Sequence, residues 1–481
     1  MSRRGRRLSS PRARAKPRKR PALPSRRTFL LALGATSATG TLACLSLPAV
    51  AAGVSPTSAT AITRVYGDGI RFIAVAITYA SPVSAQDLKA SDFRVPGRTV
   101  TAVYPATSAD PATRADRGPV VIVALSDADA DAVLTVQPAH MGPPGGDMKG
   151  DPTGGPPGGP AGGPSGGRPD WKVGQRNITD TTWREPQATV SAGGKSLRTN
   201  QVKNLVLDAF QQRVWHDPHT GRTLPYNLYV PKDHDPRNAN RRFPLVNFMH
   251  DAGTCSDDPL VTLKQGQGAI VWANPDEQAK RPCFVLAPQF AEIVASENNQ
   301  TSDMLDTTIN LIKALCEEFH IDTRRLYTTG QSGGGMLSMA MNVKYPHFFA
   351  ASFLVACQWG AEVVAPMAGN RLFILTSQDD FGAFPGQNAD TEALEMAGAK
   401  VARAIWDGTW SAEQRRFAFD MLDAQHARIN YVTFAKGTVI PPGASTEGAA
   451  GHRNTWRLAY DIEPIREWLF RTEGPASTHP A

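Results

Sequence analysis

Three features that the sequence has little of exclude whole classes of protein. Only five cysteines occur in 481 residues, too few for the disulfide scaffold of a small secreted domain. No apolar run beyond the N-terminus approaches the ~20 residues that a membrane-spanning helix needs. Residues 1–51 hold twelve of the 51 basic residues and no acidic one, so residues 52–481 carry 39 basic against 44 acidic side chains. That mildly acidic body excludes a polyanion-binding protein.

The length predicts more than one domain. A single hydrophobic core rarely grows beyond about 250–300 residues, so a chain of 481 residues is expected to form two or three domains. Hydrophobic residues make up 41% and aromatic residues 8% of the chain, which is typical of a globular protein with a core.

The first 51 residues have the organisation of an export signal. Residues 25–30 contain a pair of arginines, a weakly apolar stretch runs from residue 30 to 48, and residues 49–51 (Ala-Val-Ala) offer a small-residue cleavage site. This order is typical of a twin-arginine signal peptide, which exports folded proteins. We therefore expect cleavage near residue 51 and an extracellular, periplasmic or cell-wall-associated protein.

Residues 56–205 are predicted to form a β-sandwich. Apolar runs at 70–79, 120–125 and 132–136 are separated by turn residues at sandwich-like intervals. Within this region, 20 of the 28 residues from 142 to 169 are Gly or Pro, a composition that cannot bury enough apolar surface to offset the entropy of ordering. We expect a disordered insert inside the β domain, with an interdomain linker as the alternative.

From residue 206 to 473 strands alternate with helices, which is typical of a mostly parallel sheet with helices on both faces. Residues 474–481 are expected to be a flexible tail. Three segments, 253–282, 290–304 and 381–427, are expected to be loops that shape the substrate pocket. The predicted strands are 243–250, 283–288, 325–331, 349–355, 371–376 and 429–435, and the predicted helices are 307–319, 334–344 and 455–470.

One serine has the sequence context of a nucleophile. Ser332 is the centre of a Gly-x-Ser-x-Gly pattern, residues 330–334, between a predicted strand and a predicted helix. A serine on such a tight turn needs small neighbours, and the N–H groups that follow it at the helix start can stabilise an oxyanion. The same pattern surrounds Ser165, but it lies in the Gly/Pro tract with no strand before it. We interpret that second match as chance.

A serine hydroxyl at its ordinary pKa is a poor nucleophile, so Ser332 needs a histidine base and a carboxylate that orients the base. In this fold their order along the chain is Ser, acid, His. His452 lies in a Gly-rich loop between the last predicted strand and the last helix, and we predict that it is the base. The acid is expected after strand 371–376. The length of the turn favours Asp380 there, and the adjacent Asp379 stays open as the alternative.

Loops after strand ends supply the other predicted site residues. The N–H groups of Ala252 and Gly333 are predicted to form the oxyanion hole, since small residues let a backbone approach the substrate. His250 is expected to hold the loop of Ala252 in place. Trp359 and Phe384 follow strand ends, and we expect them to contact substrate.

No metal site and no organic cofactor are expected. His216 and His219 have His-x-x-His spacing, but they fall in a predicted hairpin turn, which disfavours a metal site. Acyl transfer by serine, histidine and aspartate requires neither kind of group.

Several of these segments resemble a known family. Residues 224–231, 243–253, 287–289 and 325–336, with Gly451, His452 and Trp456, are similar to α/β-hydrolase esterases related to polyhydroxybutyrate depolymerases and feruloyl esterases. The similarity is to the subgroup with an N-terminal immunoglobulin-like domain. It implies an α/β-hydrolase fold preceded by a smaller all-β immunoglobulin-like sandwich, with Ser332, Asp380 and His452 as the triad. Many relatives have Gly where Asp251 stands, which implies an oxyanion loop of different shape.

The sequence thus predicts a secreted serine esterase that hydrolyses small or polymeric esters through an acyl-enzyme on Ser332. Nucleic acid is not an expected partner, no integral membrane segment is expected after signal cleavage, and the oligomeric state is left open. One alternative is a serine peptidase on the same fold. Another is a cell-surface or polymer-binding module with an inactive hydrolase scaffold.

Overall fold

A computed structural model describes residues 55–136, 172–176 and 181–471 of the chain. All of them belong to one compact unit, Val50–Ala481. The predicted signal peptide at 1–51, the predicted insert at 142–169 and the predicted tail at 474–481 lie outside the described residues. Within the described ranges, no helix is long and apolar enough to cross a membrane.

The N-terminal part, up to residue 204, is built from strands. These are β1 Pro56–Tyr66, β2 Gly69–Ser84, β3 Phe93–Arg94, β4 Val100–Ala106, β5 Arg117–Leu125, β6 Thr135–Val136, β7 Thr182–Trp183, β8 Thr189–Ala192, β9 Lys195–Arg198 and β10 Gln201–Asn204. Five of them form a sheet in the order β10-β1-β2-β5-β4, in which β10 joins β1 in parallel and the other neighbours are antiparallel. A second sheet has the order β3-β8-β9, and β6 pairs with β7. The strand predicted at 132–136 is reduced to β6, because a 3₁₀ turn occupies Ala130–Ala132.

The C-terminal part contains a nine-stranded mixed sheet. Its strands are β11 Gln211–His216, β12 Thr223–Tyr229, β13 Leu245–Met249, β14 Phe284–Pro288, β15 Leu326–Gln331, β16 Ala351–Val355, β17 Leu372–Ser377, β18 Val401–Trp406 and β19 Ile429–Phe434. Their order is β11-β12-β14-β13-β15-β16-β17-β19-β18. Strand β12 pairs antiparallel with both β11 and β14. All the other neighbouring strands in this order pair in parallel. The carboxyl ends of those parallel strands therefore meet at one edge, where α/β folds bind ligands.

Helices cover both faces of this sheet. They are α1 Val261–Lys264, α2 Gln267–Ala273, α3 Pro275–Lys280, α4 Met304–Glu318, α5 Gly333–Lys344, α6 Ala383–Met396, α7 Ala412–Asp423, α8 Ala450–Ala459 and α9 Glu463–Phe470. Alternate residues of β17, such as Phe373 and Ile374, belong to different hydrophobic clusters, since successive side chains of a strand point to opposite faces. The sheet is therefore buried on both sides.

Two expectations about the C-terminal part are wrong. The segments expected as loops at 253–282 and 381–427 contain α1 to α3, and α6, β18 and α7. The first three helices are only four, seven and six residues long, too short for a hydrophobic period to be visible. The single helix expected at 455–470 is two helices, because Pro464, which lacks an N–H, sits in the first turn of α9 and favours a new helix start.

The N-terminal part and the C-terminal sheet share a core. Val65 and Phe72, on β1 and β2, belong to the same cluster of buried side chains as Leu263 and Trp272, beside the C-terminal sheet. Burying apolar area stabilises by roughly 25 cal/mol per Å², so this shared cluster ties the two parts together. The N-terminal part is thus packed against the body that carries the candidate site.

Candidate active site

Ser332 lies on a sharp turn between β15 and α5. Its backbone has φ 52° and ψ −125°, a left-handed conformation that costs a residue other than glycine about 1–3 kcal/mol. The turn requires neighbours without side chains: a Cβ on Gly330 would lie 2.4 Å from the carbonyl carbon of Gly334, and one on Gly334 would lie 2.1 Å from Met249 O. The turn therefore presents the Ser332 hydroxyl above the carboxyl edge of the sheet.

The structure brings Ser332, His452 and Asp380 together in a hydrogen-bonded chain. Ser332 Oγ lies 2.8 Å from His452 Nε2, and His452 Nδ1 lies 2.5 Å from Asp380 Oδ2. The His452 side chain is 21% exposed, whereas that of Asp380 is 4% exposed. A hydroxyl, an imidazole and a buried carboxylate in this order can move a proton from serine to histidine and stabilise the imidazolium that forms.

The expectation that His452 lies in a loop is wrong, because His452 is the third residue of α8. Residues 448–451 are Gly and Ala, which give no hydrophobic period, and glycine disfavours a helix interior. In the fold, Gly451 lets the first turn of α8 approach Asp379, since a Cβ on Gly451 would lie 2.5 Å from Asp379 Cβ. One turn later, the Trp456 ring lies 5.1 Å from the imidazole, so packing also orients the histidine.

The two adjacent carboxylates have different partners. Asp380 Oδ1 accepts hydrogen bonds from two N–H groups at the start of α6, at 3.0 and 3.1 Å, which leaves Oδ2 for His452. Burial favours the neutral form, but the charge and hydrogen bond of His452, with those N–H groups, outweigh burial and lower the pKa of Asp380. Asp379 Oδ2 instead accepts the Gly437 N–H at 2.7 Å. The geometry therefore connects Asp380, and not Asp379, to the imidazole.

Two backbone N–H groups lie beside the nucleophile. Gly333 is the first residue of α5, and a Cβ on it would lie 3.0 Å from Ala252 N. Among the residues that the structure describes, none accepts a hydrogen bond from the N–H of Ala252 or of Gly333. The N–H of Ser332, in contrast, donates to Val355 O at 3.0 Å. The two unused N–H groups can serve a ligand oxyanion.

His250 holds the loop of Ala252 as a buried ring. Its Nδ1 lies 2.7 Å from Asp251 O, and its Nε2 accepts the Phe290 N–H at 2.9 Å. Burial lowers the pKa of His250 to about 4, so the ring is neutral at neutral pH. Because the ring is uncharged and both of its nitrogens are hydrogen-bonded, His250 fixes the loop and is not placed to transfer a proton.

Asp251 is a buried carboxylate between this loop and α8. Its Oδ2 accepts a hydrogen bond from Thr254 Oγ1 at 3.5 Å, and the Gln331 side chain and the Gly253 N–H are close enough to favour its ionised form. Burial raises the pKa of Asp251, and the positive charge of Arg453, on α8, opposes that rise. Asp251 thus links the loop of Ala252, the residue before the nucleophile and the helix that carries His452. Its neighbours in sequence contain no signal for this role.

A small cleft opens beside Ser332. It spans about 250 Å³, including space open to solvent, and is lined by the loop of Ala252, by Phe290 and residues 292–295, and by the start of α5, whereas Ser332 and His452 are outside the lining. Trp359 and Phe384 are outside this lining. Trp359 is 8% exposed and belongs to a core cluster, whereas Phe384 is half-buried on the first turn of α6. Their contact with substrate stays a prediction.

The described residues contain no group of three or more His, Cys, Asp or Glu side chains that could hold a metal ion. His216 and His219 lie at the hairpin between β11 and β12, where His216 Nδ1 is 3.0 Å from Thr223 Oγ1. Four cysteines are unpaired thiols: Cys255, Cys283, Cys316 and Cys357.

Known proteins match both parts of the chain. Residues 58–202 match the family model of the esterase Ig-like N-terminal domain, and residues 289–358 match that of the prolyl oligopeptidase family. The probable acetylxylan esterase A of Neosartorya fischeri is 26% identical over 157 residues, which are 31% of this chain and 39% of that protein. Acetylxylan esterase A of Emericella nidulans is 26% identical over 137 residues, 27% of this chain and 41% of that protein. The chain thus spans about two fifths of these curated relatives.

A solved structure is similar over most of the chain. The crystal structure of a thermostable esterase has a TM-score of 0.64 at 24% sequence identity, over 86% of this chain and 99% of that chain. At this identity the likeness concerns the fold. The protein therefore combines an N-terminal domain of the esterase Ig-like type with a C-terminal domain of the α/β-hydrolase fold.

Proposed function

We propose that this protein is a serine esterase that hydrolyses carboxylic esters through an acyl-enzyme on Ser332. The observation that carries the proposal is the chain of contacts from Ser332 Oγ through His452 to Asp380 Oδ2. The N-terminal domain type and the names of the two fungal relatives, both acetylxylan esterases, support an ester as the substrate.

The proposed reaction uses the site residues in two half-reactions. His452 Nε2 takes the Ser332 proton as Oγ attacks the ester carbonyl carbon, and Asp380 stabilises the imidazolium. The carbonyl oxygen, now an oxyanion, accepts hydrogen bonds from the N–H groups of Ala252 and Gly333. The bond to the alcohol oxygen then breaks, and His452 donates its proton to that oxygen. In the second half-reaction His452 deprotonates water, which attacks the acyl carbon. The bond to Ser332 Oγ then breaks, His452 returns its proton to Oγ, and the acid is released.

The cleft favours a short acyl group. Its volume of about 250 Å³ includes space open to solvent, so the part enclosed by protein is smaller still than the roughly 300–1,000 Å³ of clefts that hold drug-sized ligands. Its wall includes the apolar side chains of Ile293, Val294 and Leu337, which suit a hydrocarbon chain, and the carboxyl groups of Asp251 and Glu292, which disfavour an anionic one. We therefore propose acetyl or similarly short acyl esters as substrates.

Export forms part of the proposal. The pair Arg26 and Arg27, followed by an apolar stretch and a small-residue site at 49–51, supports the twin-arginine route. We therefore propose that the protein acts outside the cytoplasm, on small or polymeric esters.

Hydrolysis of p-nitrophenyl acetate, butyrate and octanoate by the purified protein tests the function. We expect acetate to react fastest, and Ser332→Ala to lower kcat/KM about 10³-fold or more. Ser165→Ala, at the second Gly-x-Ser-x-Gly pattern, is the matched control and should keep the wild-type rate. Full activity of Ser332→Ala would overturn the assignment of the nucleophile.

The match of residues 289–358 to the prolyl oligopeptidase family favours one second candidate, a serine peptidase. Amide and ester cleavage use the same triad, so the site alone admits both. Parallel assays with the p-nitroanilide and the p-nitrophenyl ester of one acyl group separate them. Serine-dependent turnover of the anilide at a rate comparable to that of the ester would favour the peptidase.

A further inference from the structure

A five-residue segment of the N-terminal part pairs with the loop that forms one wall of the cleft. The Gly174 N–H donates to Ile293 O at 2.9 Å, and the Ile293 N–H donates to Gln175 O at 2.8 Å. Next to them, Arg176 forms an antiparallel bridge with Glu292, and its guanidinium lies 3.0 Å from the Asp257 carboxylate. Residues 172–176, here called the strap, thus hold both backbone groups of Ile293.

Ile293 connects the strap to the candidate active site. Its side chain is 1% exposed and forms a small cluster with Ala252 and Cys255, apart from the large cores. Ala252 supplies one proposed oxyanion donor. A polar contact runs in parallel, because Cys255 Sγ donates to Glu292 O at 3.1 Å. The wall is therefore both packed against and hydrogen-bonded to the loop of Ala252.

Other polar contacts hold this wall at residues beside Ile293, among them the Cys255–Glu292 contact and an ion pair between Glu292 and Arg222 at 2.6 Å. Phe290 O accepts the Ser256 N–H at 3.0 Å, and Val294 O accepts the Ser302 N–H at 2.9 Å. Between them, the backbone of Ile293 hydrogen-bonds, within the described ranges, to the strap alone. Among the described residues, the strap therefore supplies both backbone hydrogen bonds of Ile293, whereas other segments hold its neighbours.

We infer that the strap positions Ile293 and thereby sets the acyl-chain selectivity of the cleft. The inference rests on the proposed esterase function. Residues 174 and 175 do not line the cleft and act through Ile293, so they are positioning residues. When the strap is loosened, the wall can recede, the cleft can admit longer acyl chains, and the fit to acetate worsens.

Two glycines of the N-terminal part offer a matched pair of variants. Gly174 has φ +84° and Gly194 has φ +82°, and a Cβ on either would meet no atom within 4 Å. Valine at such an angle strains the backbone without a clash, since β-branched residues avoid positive φ. Gly174→Val strains the strap, whereas Gly194→Val strains the turn between β8 and β9, outside the cleft lining.

The experiment compares wild type, Gly174→Val and Gly194→Val in the full chain. The first readout is the ratio of kcat/KM for p-nitrophenyl butyrate to that for the acetate. We expect Gly174→Val to raise this ratio about threefold or more, and Gly194→Val to leave it unchanged. The second readout needs no substrate: hydrogen exchange of peptides that cover residues 290–296 should be faster in Gly174→Val only.

Each outcome separates the inference from the proposed function. Faster exchange with a raised ratio supports the inference. An unchanged ratio, unchanged exchange, or equal effects of both variants overturns it while leaving serine-dependent hydrolysis intact. If the wild type hydrolyses none of the esters, the proposed function fails and the selectivity inference fails with it. Exchange at 290–296 then still shows whether the strap anchors the loop.

Discussion

Ser332 Oγ lies 2.8 Å from His452 Nε2 although 120 residues separate the two in the chain. Ser332 is held by the turn into α5, where its N–H donates to Val355 O. His452 is held by the first turn of α8, against the loop of Asp379 and Asp380. A shift of α8 relative to β15 would therefore separate the nucleophile from its base.

Asp380→Asn and Asp379→Asn form an isosteric pair with different expected effects. Asp380→Asn should lower kcat about 10³- to 10⁴-fold, because the imidazole loses the carboxylate that orients it and stabilises its charge. Asp379→Asn should lower kcat less than about tenfold, since its carboxylate contacts the Gly437 N–H and not His452. Steady-state hydrolysis of p-nitrophenyl acetate measures both. A larger loss for Asp379→Asn would contradict the geometry.

We expect Asp251 to affect kcat by holding the loop of Ala252 in its present shape. Asp251→Ala removes the buried carboxyl group that accepts from Thr254 Oγ1 and lies close to Gln331 and the Gly253 N–H. We expect kcat to fall about 10- to 100-fold with a smaller change in KM, because misplaced N–H groups stabilise the transition state less. Asp251→Asn keeps an acceptor oxygen and should lose less. Equal kcat in the wild type and Asp251→Ala would show that the loop holds its shape without this carboxylate.

The buried carboxyl group of Asp390, on α6, is expected to make the stability of the protein depend on pH. Its Oδ2 accepts the Trp359 N–H at 2.8 Å, and Oδ1 has no partner among the described residues. Burial raises the pKa of Asp390 to about 7, whereas an aspartate in the unfolded chain ionises near about 3.9. The folded form therefore favours the protonated acid. The stability that protonated Asp390 contributes to the wild type is fully present below about pH 4. It decreases as the pH rises to about 7 and is absent above that range.

Asp390→Asn stays neutral and should remove this slope. We expect the variant to gain about 1–4 kcal/mol relative to wild type between pH 5 and pH 8. Urea unfolding at the two pH values measures the difference, in which any pH-independent cost of the asparagine cancels. Asp420→Asn, at an exposed position of α7, is the control and should shift stability equally at both. Parallel pH profiles of wild type and Asp390→Asn would refute the expectation.

Arg26→Lys combined with Arg27→Lys tests the proposed export route. In a bacterial host with a twin-arginine pathway, the double variant should stay in the cytoplasm, because that route recognises the arginine pair. Arg18→Lys with Arg20→Lys keeps the charge of the N-terminus and changes basic residues outside the pair, so it should be exported. Cell fractionation and immunoblotting report the distribution. Normal export of the first double variant would argue for another route.

Local pattern was sufficient for the strand-to-helix turn that carries Ser332 and for the body of the sheet. Ser332 is recognised from five residues because the sterics of a strand-to-helix turn act between near neighbours, as the contact of Gly330 with Gly334 illustrates. Buried strands such as β15 and β17 are visible because they are short, apolar and bounded by turn residues. The edge strand β18 was missed, since its residues are partly exposed and the apolar run is broken.

Contacts between distant segments were decided by the tertiary structure alone. Only the packing of α8 against the strand ends shows that Asp380, and not Asp379, meets His452, and that His452 lies on a helix. The pairing of residues 172–176 with Ile293 has no counterpart in either local sequence. Sequence pattern records the backbone preferences of residues a few positions apart. Which distant side chains meet depends on how whole layers pack, and that depends on the summed burial of many residues.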